Sequence, residues 1–156
     1  MAGADRIYGS GGDDRGYGGA DADVLRGDAG SDILYGGHGN DYLRGGAGAD
    51  VLSGGGGADR FHFVSLDESR AAEADTIQDF RPAEGDRIDL RSIDADSAVA
   101  GDQAFTWSGA ARFVGRRGQL RAEDDRIEAD LDGDRQADLV IVLIGSPAVT
   151  PDAMLL

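Results

Sequence analysis

Residues 36–62 read GGHGNDYLR, GGAGADVLS and GGGGADRFH, three blocks of nine in one phase. The phase extends backwards as GDAGSDILY (27–35), GGADADVLR (18–26) and GSGGDDRGY (9–17), with a shortened MAGADRIY (1–8) in front. One aspartate recurs in every block, at Asp5, Asp14, Asp23, Asp32, Asp41, Asp50 and Asp59. Two positions later stand Ile7, Gly16, Leu25, Leu34, Leu43, Leu52 and Phe61. A flexible Gly/Asp linker would carry no such phased apolar residue. Internal periodicity of this kind decides the fold ahead of any propensity argument.

Composition points the same way. The chain holds 25 Asp against 5 Glu, and a preference for the shorter carboxylate suggests turns and hard-cation ligands rather than a solvated acidic face. Of the 26 glycines, 19 precede residue 62, so composition changes sharply there.

The blocks resemble the RTX (repeats-in-toxin) calcium-binding nonapeptide, glycine-glycine-x-glycine-x-aspartate-x-apolar-x. The resemblance covers residues 1–62, and the last three blocks fit without exception. Asp21 and Asp28 replace glycines, and Gly16 stands where an apolar residue is expected. The coil around Gly16 is therefore expected to be under-packed, with weaker ion sites nearby. What the resemblance implies is an all-β fold, a parallel β-roll. In each block, six residues make a tight turn, for which glycine supplies positive φ and lets carbonyls point inward. The other three make a short strand whose middle side chain faces the core, and two blocks complete one coil.

Ca²⁺ takes six to eight oxygen ligands. One turn cannot supply them. Stacked turns from blocks n and n+2 can, through two carboxylates and several backbone carbonyls. The expected ligands are Asp5, Asp14, Asp23, Asp32, Asp41, Asp50 and Asp59 with the backbone at Gly30, Gly37, Gly39, Gly46, Gly48, Gly55 and Gly57. Seven blocks give about five complete pairs. A block with one inward leucine buries too little to offset the entropy of ordering nine residues, so calcium is expected to drive folding.

From residue 63 the sequence is ordinary and β-rich. Strands are expected at 76–80, 87–90, 105–107, 119–122, 126–130 and 139–144, with a helical turn within 65–74 capped by Ser69 or Ser65. A core is expected from Phe61, Phe63, Val64, Ile77, Phe80, Ile88, Leu90, Ile93, Phe105, Trp107, Leu120, Ile127, Leu139 and Ile141. ADTIQDF (74–80), GDRIDLRSIDA (85–95), GDQAF (101–105), GQLR (118–121) and DLDGDRQADL (130–139) occur in order. Together they resemble the C-terminal domain that follows RTX repeats in serralysin-type secreted metalloproteases. The resemblance implies a β-sandwich-like domain over 63–156, packed against and capping the roll of 1–62. It also implies an uncleaved C-terminal signal read by type I secretion machinery. Asp152, Ala153, Met154, Leu155 and Leu156 match the form of that signal, an acidic residue followed by apolar ones; read without the family they are an apolar last strand.

Two further carboxylate groups stay open. Asp130, Asp132, Asp134 and Asp138 resemble part of an EF-hand loop, but the glycine is misplaced and Ile141 stands where the twelfth-position Glu belongs. A polar hairpin turn is the simpler reading, with an additional weak calcium site as the alternative. Asp75, Asp79 and Asp86 either complete the coordination of the last turns or are solvated strand ends.

Several function classes are excluded or disfavoured. A net charge of −15, with 15 Arg and no Lys, argues against nucleic acid or an anionic membrane as partner. With no cysteine, disulfides and thiolate sites are unavailable. Residues 1–12 show no apolar signal-peptide core, and the longest apolar run, 139–144, is too short to span a bilayer. The serralysin zinc motif is absent. His38 and His62 come without a positioned Glu, and no nucleophile elbow or phosphate loop occurs, so the chain reads as non-catalytic. The expectation is a secreted, extracellular module that folds on calcium, the C-terminal part of a serralysin-like protease or other secreted hydrolase. The alternative is a stand-alone secreted calcium-dependent binding or adhesion protein.

Overall fold

The computed structural model describes residues 3–145 and 148–156. The nonapeptides form β1 (Arg6–Gly11), β2 (Arg15–Ala20), β3 (Val24–Ala29), β4 (Ile33–His38), β5 (Tyr42–Ala47), β6 (Val51–Gly56) and β7 (Arg60–His62). Odd strands join one parallel sheet and even strands the other. Partners are eighteen residues apart, Leu25 beside Leu43 and Leu34 beside Leu52, so two blocks do make one coil.

β1 to β6 are six residues long, twice the expected three, and only β7 keeps to three. β3 runs on through Asp28 into Ala29, and these pair with Gly46 and Ala47. The cause is that identical turns stack in register and bond to each other. Gly12 donates to the Ala29 carbonyl at 2.8 Å, and Gly30 to Ala47 at 2.9 Å. Glycine is needed for this approach: at Gly46 (φ +115) a Cβ would lie 2.0 Å from the Asp28 carbonyl oxygen.

Beyond the repeats come β8 (Asp75–Ile77), β9 (Arg87–Asp89), β10 (Thr106–Trp107), β11 (Gln119–Glu123), β12 (Arg126–Asp130), β13 (Leu139–Leu143) and β14 (Met154–Leu155). They continue the same two sheets. β9 adds to β7 and β14 to β9, while β8 adds to β6 and is followed outward by β13, β12, β11 and β10. The inward Leu25, Leu34, Leu43, Leu52 and Phe61 therefore share one core with Ile77, Ile88, Leu120, Ile127 and Leu139. Phe61 meets Phe80 edge-on at 6.0 Å, where the coils give way to the cap. The expected core is present except that Val64 stays half-exposed and Trp107 only borders it.

The turn expected within 65–74 is a single 3-10 turn, Leu66–Glu68, and no serine side chain caps it. Ser69 serves elsewhere: its hydroxyl donates to the Val140 carbonyl at 2.5 Å and accepts from the Asp75 amide at 2.8 Å. That pins the loop after the last repeat onto β13.

Candidate metal centre

Each repeat aspartate closes the turn ahead of a strand, where its carboxylate faces the turn one coil away. The backbone N–H of Asp5, Asp14, Asp23, Asp32 and Asp41 donates to Oδ1 of Asp23, Asp32, Asp41, Asp50 and Asp59 at 2.7–2.9 Å. The row runs past the repeats, because the amides of Asp50 and Asp59 donate to Oδ1 of Asp75 and Asp86, both at 2.9 Å. Asp23 through Asp59, Asp75 and Asp86 are buried.

The second oxygens are unanswered. Oδ2 of Asp5, Asp14, Asp23, Asp32, Asp41, Asp50, Asp59 and Asp75 is buried without a hydrogen-bond partner, eight of nine such side-chain atoms among the described residues. A buried charged oxygen without a partner is expensive, and one row of eight implies a common counter-charge. The space it faces is defined by glycine. A Cβ at Gly36 would lie 2.3 Å from Asp41 Oδ2 and 2.6 Å from the Gly54 carbonyl oxygen. Gly9, Gly18 and Gly27 repeat this pairing of carboxylate and carbonyl oxygen. Carboxylate and carbonyl oxygens around a space only glycine leaves free form a hard, all-oxygen donor set, which suits Ca²⁺.

These first-position glycines were missed by sequence reasoning, which assigned ion sites to the positive-φ glycines. Gly30, Gly37, Gly39, Gly46, Gly48, Gly55 and Gly57 do adopt φ from 96° to 129°, and their carbonyls lie in the stacked turns. Ser10, Asp21 and Asp28 occupy equivalent left-handed positions at φ 81°, 74° and 76°, so the strain falls in the earliest coils. The notch at Gly16 borders a cavity of about 140 Å³ that reaches Ile7 and Leu34.

The structure separates Asp75, Asp79 and Asp86. Asp75 takes a place in the row with a free Oδ2. Asp86 ends the row, because the Arg81 amide donates to its Oδ2 at 2.7 Å. Asp79 accepts from Ser53 Oγ and from the Gly54 and Gly55 amides at 2.7–2.9 Å, capping the end of β6.

Burial and neighbouring carboxylates set the protonation of the row. Desolvation pushes Asp50 and Asp59 up to about 6 and Asp75 up to about 9. Asp32, Asp41 and Asp86 are raised for the same leading reason. A bound cation reverses this by favouring the ionised form.

The loop after β12 is different. Carboxylate oxygens of Asp130, Asp132 and Asp138 lie within 4.8 Å of one another, yet the loop's own amides take them. Gly133 and Arg135 donate to the two oxygens of Asp130, and Leu131 donates to Asp138. This is the geometry of a polar turn. His38 ends β4 on one sheet and His62 ends β7 on the other. His62 bonds Tyr42 and Ser92, and burial lowers its pKa.

A model of the Peptidase M10 serralysin C-terminal domain matches residues 27–155. The chain belongs to that family. The model of the RTX calcium-binding nonapeptide repeat, in four copies, matches residues 1–25. This serralysin C-terminal chain is thus a calcium-binding RTX module of a kind typical of secreted proteins. It is also similar to two solved subunits of the Azotobacter vinelandii mannuronan C5-epimerase. The AlgE6R3 subunit is 30% identical with TM-score 0.67, over 94% of this chain and 80% of that one. The AlgE6R2 subunit is 30% identical with TM-score 0.66, over 96% and 91%. The search of curated proteins found no match. Both regions recognised are non-catalytic, and no catalytic domain is matched within these residues.

Proposed function

We propose that this chain is the calcium-loaded folding and export module of a larger secreted enzyme, a serralysin-like protease or another extracellular enzyme. The observation that carries the reading is the row of eight buried, unpartnered Oδ2 atoms. Residues 1–62 are the part loaded by ions, and 63–156 the cap that carries the export signal. The ligands are the seven repeat aspartates with carbonyls of the glycine turns, giving about five complete sites within the repeats. Asp75 supplies one rung more. Where cytosolic calcium is low the row repels itself and the chain stays open; outside the cell the ions close it.

The C-terminus fits this order of events. Met154 is buried, and the Leu90 amide donates to the Leu155 carbonyl at 2.9 Å. An exporter reading residues 152–156 would therefore meet them free only while the chain is unfolded. A reporter fused ahead of this chain, co-expressed with a type I exporter of the serralysin class, tests the reading. The fusion is expected in the medium, and deletion of 152–156 is expected to retain it in the cell. Equal export of both fusions would sink the proposal. A stand-alone calcium-dependent binding protein is the second reading, favoured by Arg6, Arg26, Arg60 and Arg87, which the parallel register gathers on the outer face of the odd-numbered sheet.

A further inference from the structure

Two loops of the cap meet and leave two arginines unanswered. Residues 111–117 lie between β10 and β11, and residues 131–138 between β12 and β13. The loops touch glycine to glycine: a Cβ on Gly115 (φ +82) would lie 3.3 Å from the Gly133 carbonyl oxygen. Both are built rather than loose. The buried Gln119 accepts at Oε1 from the amides of Val114 and Arg116 at 2.9 and 3.2 Å. In the second loop, Asp130 takes the amides of Gly133 and Arg135, and Asp132 takes that of Asp134.

Where the loops meet, a cavity of about 420 Å³ is lined by Arg112, Phe113, Arg121, Glu123 and Arg135. Its three arginines differ. Arg121 is committed: it lies 4.8 Å over the Phe113 ring, and its Nε donates to Glu128 Oε2 at 2.7 Å. Its Nη1 is 3.0 Å from Glu123 Oε2. Arg112 and Arg135 have no carboxylate partner among the described residues. Carboxylates are close in sequence, but the loop's own amides hold Asp132 and Asp134. Arg135 also keeps a left-handed φ of 75°, and its Nε would lie 3.0 Å from a Cβ on Gly115. A strained residue with an unanswered charge, set in a cavity, points to a ligand.

Charge and shape choose the class of ligand. Three guanidinium charges less the carboxylates of Glu123 and Glu128 leave one positive charge. Glu123, half-exposed at the rim, opposes a second negative charge on whatever enters. A monoanion therefore suits the pocket better than a dianion. Guanidinium forks take a planar carboxylate in paired hydrogen bonds, and the volume is that of a small-molecule site.

We propose that this pocket in the cap binds a small monocarboxylate, its two oxygens held between Arg112 and Arg135. The pocket shares no residue with the aspartate row, and the proposal holds whether or not the chain serves export.

A nuclear magnetic resonance titration of the full chain in calcium tests it, with benzoate as probe at constant ionic strength. Benzamide has the same shape without the charge, and inorganic phosphate in its dianionic form carries one charge more. Benzoate is expected to shift the amides of 111–117 and 131–138 saturably, with both comparisons about tenfold weaker or more. The double variant Arg112→Gln, Arg135→Gln should weaken benzoate about tenfold or more while calcium-induced circular dichroism is unchanged. Should that variant fail to fold, Arg112→Gln alone, at an exposed side chain, is expected to weaken binding about threefold. Benzoate binding that survives these substitutions overturns the proposal. So does benzamide or phosphate binding as tightly as benzoate.

Discussion

At the scale of single residues, glycine does two separate jobs in each turn. The second and fourth positions adopt positive φ so that coils can stack, and the first leaves space in front of a carboxylate oxygen. Gly46→Ala violates the stacking requirement twice, by conformation at φ +115 and by its approach to the Asp28 carbonyl. We expect it to cost more than about 2 kcal/mol, read as a higher calcium midpoint for folding. Gly16→Ala is the opposite case. Its backbone is ordinary, and a Cβ would touch the Leu34 side-chain tip at 3.0 Å beside a cavity into which that tip can shift. A gain of about 0.4–1 kcal/mol is expected, seen as a lower calcium midpoint. A loss there would mean that the first coil is already filled.

At the scale of the element, the aspartate row works as one electrostatic unit. In the ion-free fold, burial raises Asp50 and Asp59 to about 6 and Asp75 to about 9. Such a group stabilises the ion-free fold below its ordinary value of about 3.9 and loses that contribution as pH climbs through the raised value. Without calcium the roll should therefore weaken between about pH 4 and 6 as Asp50 and Asp59 ionise, and again toward 9 as Asp75 does. Calcium requires the ionised form, so the sign reverses in its presence. Starting from the open ion-free chain, whose carboxylates keep their ordinary value of about 3.9, the calcium midpoint is expected to stay flat from about pH 8 to 5 and to rise only as pH falls toward about 4. A midpoint that already rises below about 6, with protons released, would mean that calcium loads a roll that is folded beforehand. Asp75→Asn should remove ion binding at the inner end, and Asp134→Asn, in the self-bonded loop, should leave ion binding intact. Equilibrium dialysis of calcium separates the two.

The row also shows what the sequence could and could not reveal. Its repeat members were legible because a fixed period needs only counting. Asp75 and Asp86 follow their partners by 25 and 27 residues instead of eighteen, since loops are inserted between coils. They keep their place in the row while leaving the period, so spacing alone could not tell them from solvated strand ends. Gly9, Gly18, Gly27 and Gly36 were visible as glycines, but their purpose depends on an oxygen from a side chain five residues on.

At the scale of the whole molecule, two continuous sheets share one core, and the ordinary-looking half closes the repeat half. The local strand signals of residues 119–143 were readable. The placing of β8 between β6 and β13, and of β14 beside β9, was not, because those pairings join distant segments and leave no local pattern. The roll cannot reach this state by apolar burial alone. With site dissociation constants of about 10⁻⁴ M, millimolar calcium adds about 1.4 kcal/mol per site. A handful of sites then matches the whole stability of a small domain. Magnesium should fail, since it demands strict octahedral geometry and gives up its water reluctantly. The direct measurement is far-ultraviolet circular dichroism of the full chain through a calcium titration, with magnesium in parallel. Little β signal is expected in EDTA, with a cooperative rise at submillimolar to millimolar calcium and no comparable rise with magnesium. A complete β signal in EDTA, or full substitution by magnesium, would contradict it.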